Sequence, residues 1–152
     1  MRHEWIQIIA SFTGSIGFSL LFGLHGRQLP IAAIGAALTW AIYLGVCAVD
    51  GGIFLATVLA SIFAGIYTEI MVRRLKVPKT VLTFSVVVSL IPGRDLYNTM
   101  RFAIDGDLQG FLSSGVITLG YAVSIAIGIT IVLVGTQLFT KARAARMAKR
   151  NS

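Results

Sequence analysis

Long apolar stretches occupy most of this sequence and constrain its fold more than any other feature. A helix that crosses a bilayer needs about 20 mostly apolar residues, because the hydrocarbon core is about 30 Å thick. Four stretches of this kind carry at most one charged residue each: residues 5–24, 31–49, 53–72 and 112–139. In lipid, helices satisfy their own backbone hydrogen bonds. The pattern therefore predicts an all-α integral membrane protein.

A fifth apolar stretch, residues 80–104, is interrupted near its middle. Its apolar run, residues 81–91, is followed directly by Pro92 and Gly93. Proline removes a backbone donor and glycine tolerates unusual dihedral angles, so we expect the helix to break there. We predict about five transmembrane helices, the fourth broken at Pro92-Gly93. In a four-span alternative, the run 81–91 forms a re-entrant hairpin.

The basic residues predict which ends of the helices face the cytosol. Lysine and arginine are retained on the cytosolic side of a membrane. Five lie in the last 12 residues, four lie in residues 73–79, and Arg27 lies in the first connection. Asp50, Asp105 and Asp107 lie in the opposite connections. Five spans separate these two groups, which predicts an external N-terminus and a cytosolic C-terminus.

The same charge pattern predicts domain organisation and location. We expect one transmembrane helical domain at residues 1–140 and a basic cytosolic tail at residues 141–152. The net charge is +7, but the basic residues form short runs between apolar segments, without a nucleic-acid-binding motif. We therefore expect contact with the lipid bilayer and no nucleic acid. The predicted location is the plasma membrane, a bacterial inner membrane, with multiple passes.

No pattern of catalytic or metal-binding residues is present in the sequence. Cys47 is the only cysteine, and together with His3 and His25 it lacks the spacing of a metal-ligand set. There is no nucleophile elbow, phosphate-binding loop or pair of catalytic carboxylates. We therefore expect neither an enzyme nor a bound cofactor or metal.

Small residues recur every four positions in each apolar stretch. Such ladders let helix backbones approach closely in a membrane. Glycine and alanine are also abundant in membrane helices generally, but ladders in all five stretches favour a tightly packed assembly. The ladder positions are Ser11, Ser15, Ser19 and Gly23; Ala33, Ala37, Ala41 and Gly45; Ala56, Ala60 and Ala64; Ser85, Ser89 and Gly93; and Gly120, Ser124 and Gly128.

Ionisable residues beside the predicted break are the main candidates for function. A charged side chain at the centre of a membrane helix costs about 2.5–3.5 kcal/mol on insertion scales. Interrupted helices provide polar substrate sites in many transporters. We predict a substrate-binding elbow that contains Pro92, Gly93, Arg94, Asp95 and Tyr97, with Arg94 attracting a carboxylate. Alternatively, Arg94 and Asp95 pair with each other at a structural kink, or the segment re-enters and exits on one side.

Glu69 is an acidic residue within the third apolar stretch. Residues four apart on a helix are neighbours, so Glu69 is placed to pair with Arg73 near the cytosolic end of that helix. A role in proton coupling or substrate gating is the other interpretation. Arg101, four residues before Asp105, is expected to anchor the outer interface. The aromatic residues expected to serve in packing or at the membrane interface are Trp40, Tyr43, Tyr67 and Tyr121.

Several short motifs are spread along most of the chain. They are Gly17-Phe18 with Leu21-Phe22; Ala32-Ala33-Ile34-Gly35 with Trp40 and Tyr43; Glu69 with Arg73-Arg74-Leu75-Lys76-Val77-Pro78; and Ile91-Pro92-Gly93 with Leu96-Tyr97. In order and spacing they resemble the threonine/serine exporter (ThrE) family. The chain is similar to the small-subunit type, which corresponds to the C-terminal membrane half of that family.

The resemblance implies a transport subunit that works with a larger sister subunit carrying the family's N-terminal half. Family members are linked to export of threonine and serine, and split members resemble a system that exports the dicarboxylate succinate. Arg94 would suit either substrate, since both carry a carboxylate. The hydrophilic region of the larger half is absent from this chain, so the resemblance does not imply transport by this subunit alone.

Residues and resemblance together predict a membrane subunit of a secondary exporter for small carboxylate-bearing metabolites. An ion gradient is the expected driving force because no nucleotide-binding motif is present, and alternating access is expected around the broken helix. Two other functions stay open: a non-transporting scaffold or assembly protein, whose ladders serve oligomerisation, and a passive channel. A homo-oligomer is compatible with each of them.

Overall fold

The computed structural model describes residues 2–49, 51–75 and 78–150, with side chains described between residues 6 and 141 of those ranges. The regular structure in these ranges is helical and includes no strand, which confirms the predicted all-α class for them. The elements are α1 (Arg2–Leu21), α2 (Gln28–Ala48), α3 (Ile53–Leu75), α4 (Lys79–Val87), a 3-10 turn (Val88–Leu90), α5 (Gly93–Asp105) and α6 (Leu108–Arg150). Asp50 and Lys76, two residues of the predicted topology signals, lie outside the described residues.

Three of the described helices are long and apolar enough to cross a membrane: α2, α3 and the Leu108–Lys141 part of α6. At 1.5 Å per residue, α2 and α3 extend about 32 and 35 Å, which exceeds the hydrocarbon core of about 30 Å. Two apolar helical segments are shorter, Ile6–Leu21 and Lys79–Leu90. The second of these extends about 18 Å and is too short to cross the core alone.

The predicted interruption at Pro92-Gly93 is present. The 3-10 turn ends at Leu90, Ile91 adopts an extended backbone conformation with φ −65° and ψ 124°, and α5 begins at Gly93. A proline disfavours helical geometry in the residue before it, which accounts for the conformation of Ile91. The amide of Leu96 then donates to the carbonyl of Pro92 at 3.0 Å and starts the new helix.

Small residues form the interior of the helix bundle, and large apolar residues cover its outside. α3 packs against α2, α4 and α6, while α1 packs against α2 and α4. The ladder Ala56, Ala60 and Ala64 on α3 is fully buried. Large side chains such as Leu21 and Ile131 are exposed. This arrangement is typical of a protein whose outer surface faces lipid, because there the outside must also be apolar.

Glycines lie at a close contact between α3 and α6. A Cβ added at Gly65 would lie 3.1 Å from the Cβ of Val132. A Cβ added at Gly128 would collide with the Ser61 hydroxyl and lie 2.8 Å from the backbone oxygen of Val58. Because the Val58 oxygen belongs to the backbone, rotation of a side chain would not relieve that second contact. The two glycines therefore allow the helices to pack at this distance, as expected of small residues in membrane helices.

The last helix is longer than the predicted stretch of residues 112–139. α6 contains 43 residues, extends about 65 Å and continues through the basic tail to Arg150. A Cβ at Gly120 would meet the ring of Phe54, near the start of α3. The earlier part of α6 therefore runs past α3, and α5 packs mainly against α6. The hydroxyls of Thr99 on α5 and Thr118 on α6 lie 3.5 Å apart.

Candidate functional site

The interruption before α5 borders a cavity of about 210 Å³. Four of the five residues predicted for the substrate pathway line it, and Tyr97 does not. Tyr97 lies one turn into α5 and is 67% exposed. The cavity walls come from the break, from α2 and from α6: Leu90, Ile91, Pro92, Gly93, Arg94, Asp95, Trp40, Tyr43 and Tyr121.

Aromatic side chains from two distant helices form the wall opposite the break. The rings of Trp40 and Tyr43 stack with their centroids 4.9 Å apart. The hydroxyls of Tyr43 and Tyr121 form a hydrogen bond of 2.9 Å, which joins α2 to α6. The indole Nε1 of Trp40 is buried and has no hydrogen-bond partner in the described part of the chain. A buried, unpaired N–H group is rare in proteins and calls for a polar partner such as a water molecule or a ligand.

These three aromatic residues were expected from the sequence to serve only in packing or at the membrane interface. Trp40 and Tyr43 are three residues apart, so their shared helix face is visible in the sequence. Tyr121 is 78 residues from Tyr43, and no local spacing connects the two. The cavity wall is therefore a consequence of tertiary packing that the sequence pattern does not show.

Arg94 and Asp95 supply the charges of the cavity. Arg94 is exposed and Asp95 is half-buried in the first turn of α5. Among the residues that the structure describes, neither forms an ion pair, so the alternative that they pair with each other is not observed. The first amides of a helix lack intrahelical acceptors, and the helix dipole makes this end positive. The cavity thus presents a cation, helix N-terminal donors and one carboxylate.

Glu69 belongs to a second polar cluster at the other end of α4. Its carboxylate accepts a hydrogen bond from the guanidinium of Arg73 at 2.9 Å, which confirms the expected pair four residues apart. Its second oxygen is bound by the ammonium group of Lys79, the first residue of α4. This partner was not predicted, because it lies across the α3–α4 connection. The ion pair therefore ties α3 to α4.

The structure separates Glu69 from the break. Lys79, beside Glu69, begins α4, and Leu90 at the cavity ends the 3-10 turn. These 12 residues extend about 18 Å along the helix axis. Glu69 is therefore not in contact with the cavity, and it lies at a separate point along the bundle. Within the described ranges, no group of three or more His, Cys, Asp or Glu residues is placed to hold a metal ion.

Long apolar helices, a small-residue interior and an apolar exterior define a helical membrane protein. The model of the family described as Threonine/Serine exporter, ThrE, matches residues 7–134. The chain therefore belongs to the threonine/serine exporter family, which confirms the resemblance seen in its motifs. Members of this family are transporters. The comparisons with curated proteins and with solved structures each found no significant match.

Proposed function

We propose that this chain is the membrane subunit of a secondary exporter for small amino acids such as threonine and serine. The cavity at the start of α5 binds the substrate. The observation that carries this proposal is the combination of Arg94, Asp95 and an unpaired Trp40 N–H at an interrupted helix. Sites for drug-sized ligands have volumes of roughly 300–1,000 Å³. The cavity here, about 210 Å³, is smaller and so suits a small molecule such as a single amino acid.

The charges in the cavity complement an amino-acid zwitterion. The guanidinium of Arg94 and the amides of α5 bind the carboxylate, because both are donors to an anion. The carboxylate of Asp95 and the aromatic faces of Trp40 and Tyr43 bind the ammonium group, the latter through cation–π attraction. The indole N–H of Trp40 donates to the hydroxyl oxygen that threonine and serine share. Each polar group of the substrate thus has a partner of matching chemistry.

A dicarboxylate such as succinate fits the same cavity less well. Arg94 attracts one carboxylate, but the second would face Asp95, and like charges at close range repel. We therefore place threonine and serine ahead of succinate as substrates. The sequence alone left both classes open, since Arg94 suits any carboxylate.

The proposed topology has five spans, with the N-terminus outside and the tail in the cytosol of a bacterial inner membrane. Lys79 lines a cavity with Thr136 and Thr140 of α6, and Thr99 lies beside Thr118. The path from α4 to α5 therefore runs antiparallel to α6 over most of its length. Its 27 residues, Lys79 to Asp105, correspond to a helical length of about 40 Å at 1.5 Å per residue. This favours an interrupted crossing over a re-entrant hairpin.

A larger sister subunit is part of the proposal. α5 has no buried residue and packs mainly against α6, which leaves much of its surface uncovered by the described part of the chain. A second subunit that covers α5 would enclose the cavity, as alternating access requires. The coupling ion then moves with the substrate, and the interruption at Pro92 serves as the hinge.

Export of labelled threonine, serine and succinate tests the proposal. Cells express this chain alone or with its proposed larger subunit, and Arg94→Ala is compared with Arg101→Ala. Arg101 is a matched control because it lies two turns further along α5, where it is 65% exposed and pairs with Asp105. We expect export of threonine and serine to fall at least tenfold in Arg94→Ala and to persist in Arg101→Ala, with equal amounts of protein in the membrane.

The alternative functions give different results in the same assay. A scaffold protein would leave export unaffected by Arg94→Ala. A passive channel would carry substrate without ion coupling, so that dissipating the proton gradient leaves flux down the substrate gradient unchanged. Either result would contradict the proposed coupled exporter.

A further inference from the structure

Two adjoining cavities lie on the outer surface of the bundle beside α4, and they meet at the Glu69 end of that helix. The first, of about 340 Å³, carries the charged residues Glu69, Lys79 and Lys141 together with neighbouring residues of α6. The second, of about 740 Å³, is an apolar groove between α1, α4 and α6. Lys79 and Leu133 line both cavities. The two therefore form one continuous site with a polar end and an apolar body.

The polar end carries surplus positive charge. The two oxygens of Glu69 are bound by Arg73 and Lys79, so its carboxylate is already neutralised. Lys141 is exposed on α6 and has no acidic partner among the described residues. Three cations, Arg73, Lys79 and Lys141, therefore surround this end of the site, against the single carboxylate of Glu69. An anionic group is the ligand that complements this balance.

The apolar groove is open to the surrounding lipid. Phe84 on its floor is 57% exposed, and its ring stacks on that of Phe22 from α1 at a centroid distance of 6.4 Å. Ile129 of α6 lines the opposite side. Apart from Lys79 and two threonines of α4 the lining is apolar, and the Thr83 hydroxyl already donates to the carbonyl of Lys79. The groove therefore accepts a hydrocarbon chain with little burial of unpaired polar groups.

The length of the groove distinguishes a lipid chain from a transmembrane helix. The groove follows α4 and the 3-10 turn from Lys79 to Ile91, about 20 Å at 1.5 Å per residue. A single leaflet of a bilayer core is about 15 Å deep, and a spanning helix needs about 30 Å. The groove is therefore closer to the length of one leaflet, and its cations lie at one end only, as in a phospholipid.

We propose that this site binds an anionic phospholipid, with the phosphate between Lys79 and Lys141 and an acyl chain in the groove against Phe84. Basic pockets between transmembrane helices are a common setting for anionic headgroups. Through Lys79 and its ion pair with Glu69, the bound lipid holds the start of α4 against α3 and α6. This inference depends on the membrane setting of the chain and not on the transported substrate.

Native mass spectrometry of the detergent-purified chain with added phosphatidylglycerol or phosphatidylcholine tests the site. Each lysine near an anionic lipid contributes a factor of about five in affinity. We expect phosphatidylglycerol to bind at least tenfold more tightly than phosphatidylcholine. Lys141→Gln, an exposed substitution, should reduce that preference about fivefold, and Lys79→Gln with Lys141→Gln should abolish it. Arg101→Gln, which removes a cation at the far end of α5, is the matched control and should leave it unchanged.

A groove-filling variant and two competitors test the acyl-chain half of the site. Thr83→Phe places a ring in the groove and should weaken phosphatidylglycerol binding, while glycerophosphoglycerol and inorganic phosphate, which have no acyl chain, should not compete. Equal binding of the two lipids, a preference that is undiminished in Lys141→Gln or retained in the double variant, or full competition by either water-soluble anion would overturn the proposal. A photo-crosslinker at Phe84 that labels a protein helix instead of lipid would also overturn it.

Discussion

Replacing Gly128 with alanine tests the close contact between α3 and α6. The added methyl group would lie 2.8 Å from the backbone oxygen of Val58 and would collide with the Ser61 hydroxyl. A carbon atom and a carbonyl oxygen ordinarily approach to about 3.3 Å, so the two helices must separate by about 0.5 Å. A gap of that size removes a quarter or more of the dispersion energy of the affected contacts. Overpacking of this kind costs about 1–3 kcal/mol.

Gly135→Ala is the matched control for this substitution. Gly135 lies on the same helix, and a Cβ there meets nothing within 4 Å. Both variants gain the higher helix propensity of alanine, about 1 kcal/mol, so their difference isolates the steric cost. In a thermal unfolding experiment in detergent, we expect Gly128→Ala to melt on the order of 5 °C below Gly135→Ala. If the two variants melt together, the α3–α6 packing described here is wrong.

Two further sets of substitutions test the polar contacts between helices. Tyr43→Phe or Tyr121→Phe should lower the unfolding free energy by about 0.5–1.5 kcal/mol. The double phenylalanine variant should lower it by less than the sum of the two single losses, because both changes break the same hydrogen bond. Additive losses would contradict the Tyr43–Tyr121 hydrogen bond. Glu69→Gln should lower the unfolding free energy by about 1 kcal/mol, and this loss should become smaller at high salt, which screens the ion pair. Asp105→Asn, which breaks an exposed ion pair, should lower the unfolding free energy by less. Equal losses for the two variants across a salt titration would contradict the ion pair that joins α3 to α4.

Features set by local chemistry were predictable from the sequence. The break at Pro92-Gly93 follows from the missing donor of proline and its effect on the preceding residue. The Glu69–Arg73 pair follows from helical spacing. The all-helical class follows from the length of the apolar stretches. Each of these depends on residues within one continuous segment of the sequence.

Features that depend on tertiary packing were not predictable in the same way. Lys79 reaches Glu69 only because α4 turns back beside α3. Tyr121 completes the cavity wall only because α6 packs parallel to α3, with Gly120 beside Phe54 and Gly128 beside Ser61. Tyr97 was grouped with the break by proximity along the chain, but the turn of α5 carries it away from the cavity. Contacts between distant helices therefore decide which residues share the site.

The fluorescence of Trp40 offers the most direct measurement of the proposed substrate site. Trp40 and Trp5 are the two tryptophans of this chain, so in a Trp5→Phe background its own tryptophan signal comes from the cavity alone. The purified chain, alone and with its proposed larger subunit, is titrated with threonine, serine and succinate. We expect a saturable change with threonine and serine that is lost in Arg94→Ala and retained in Arg101→Ala. A response that survives in Arg94→Ala, or one of equal strength with succinate, would contradict the zwitterion site.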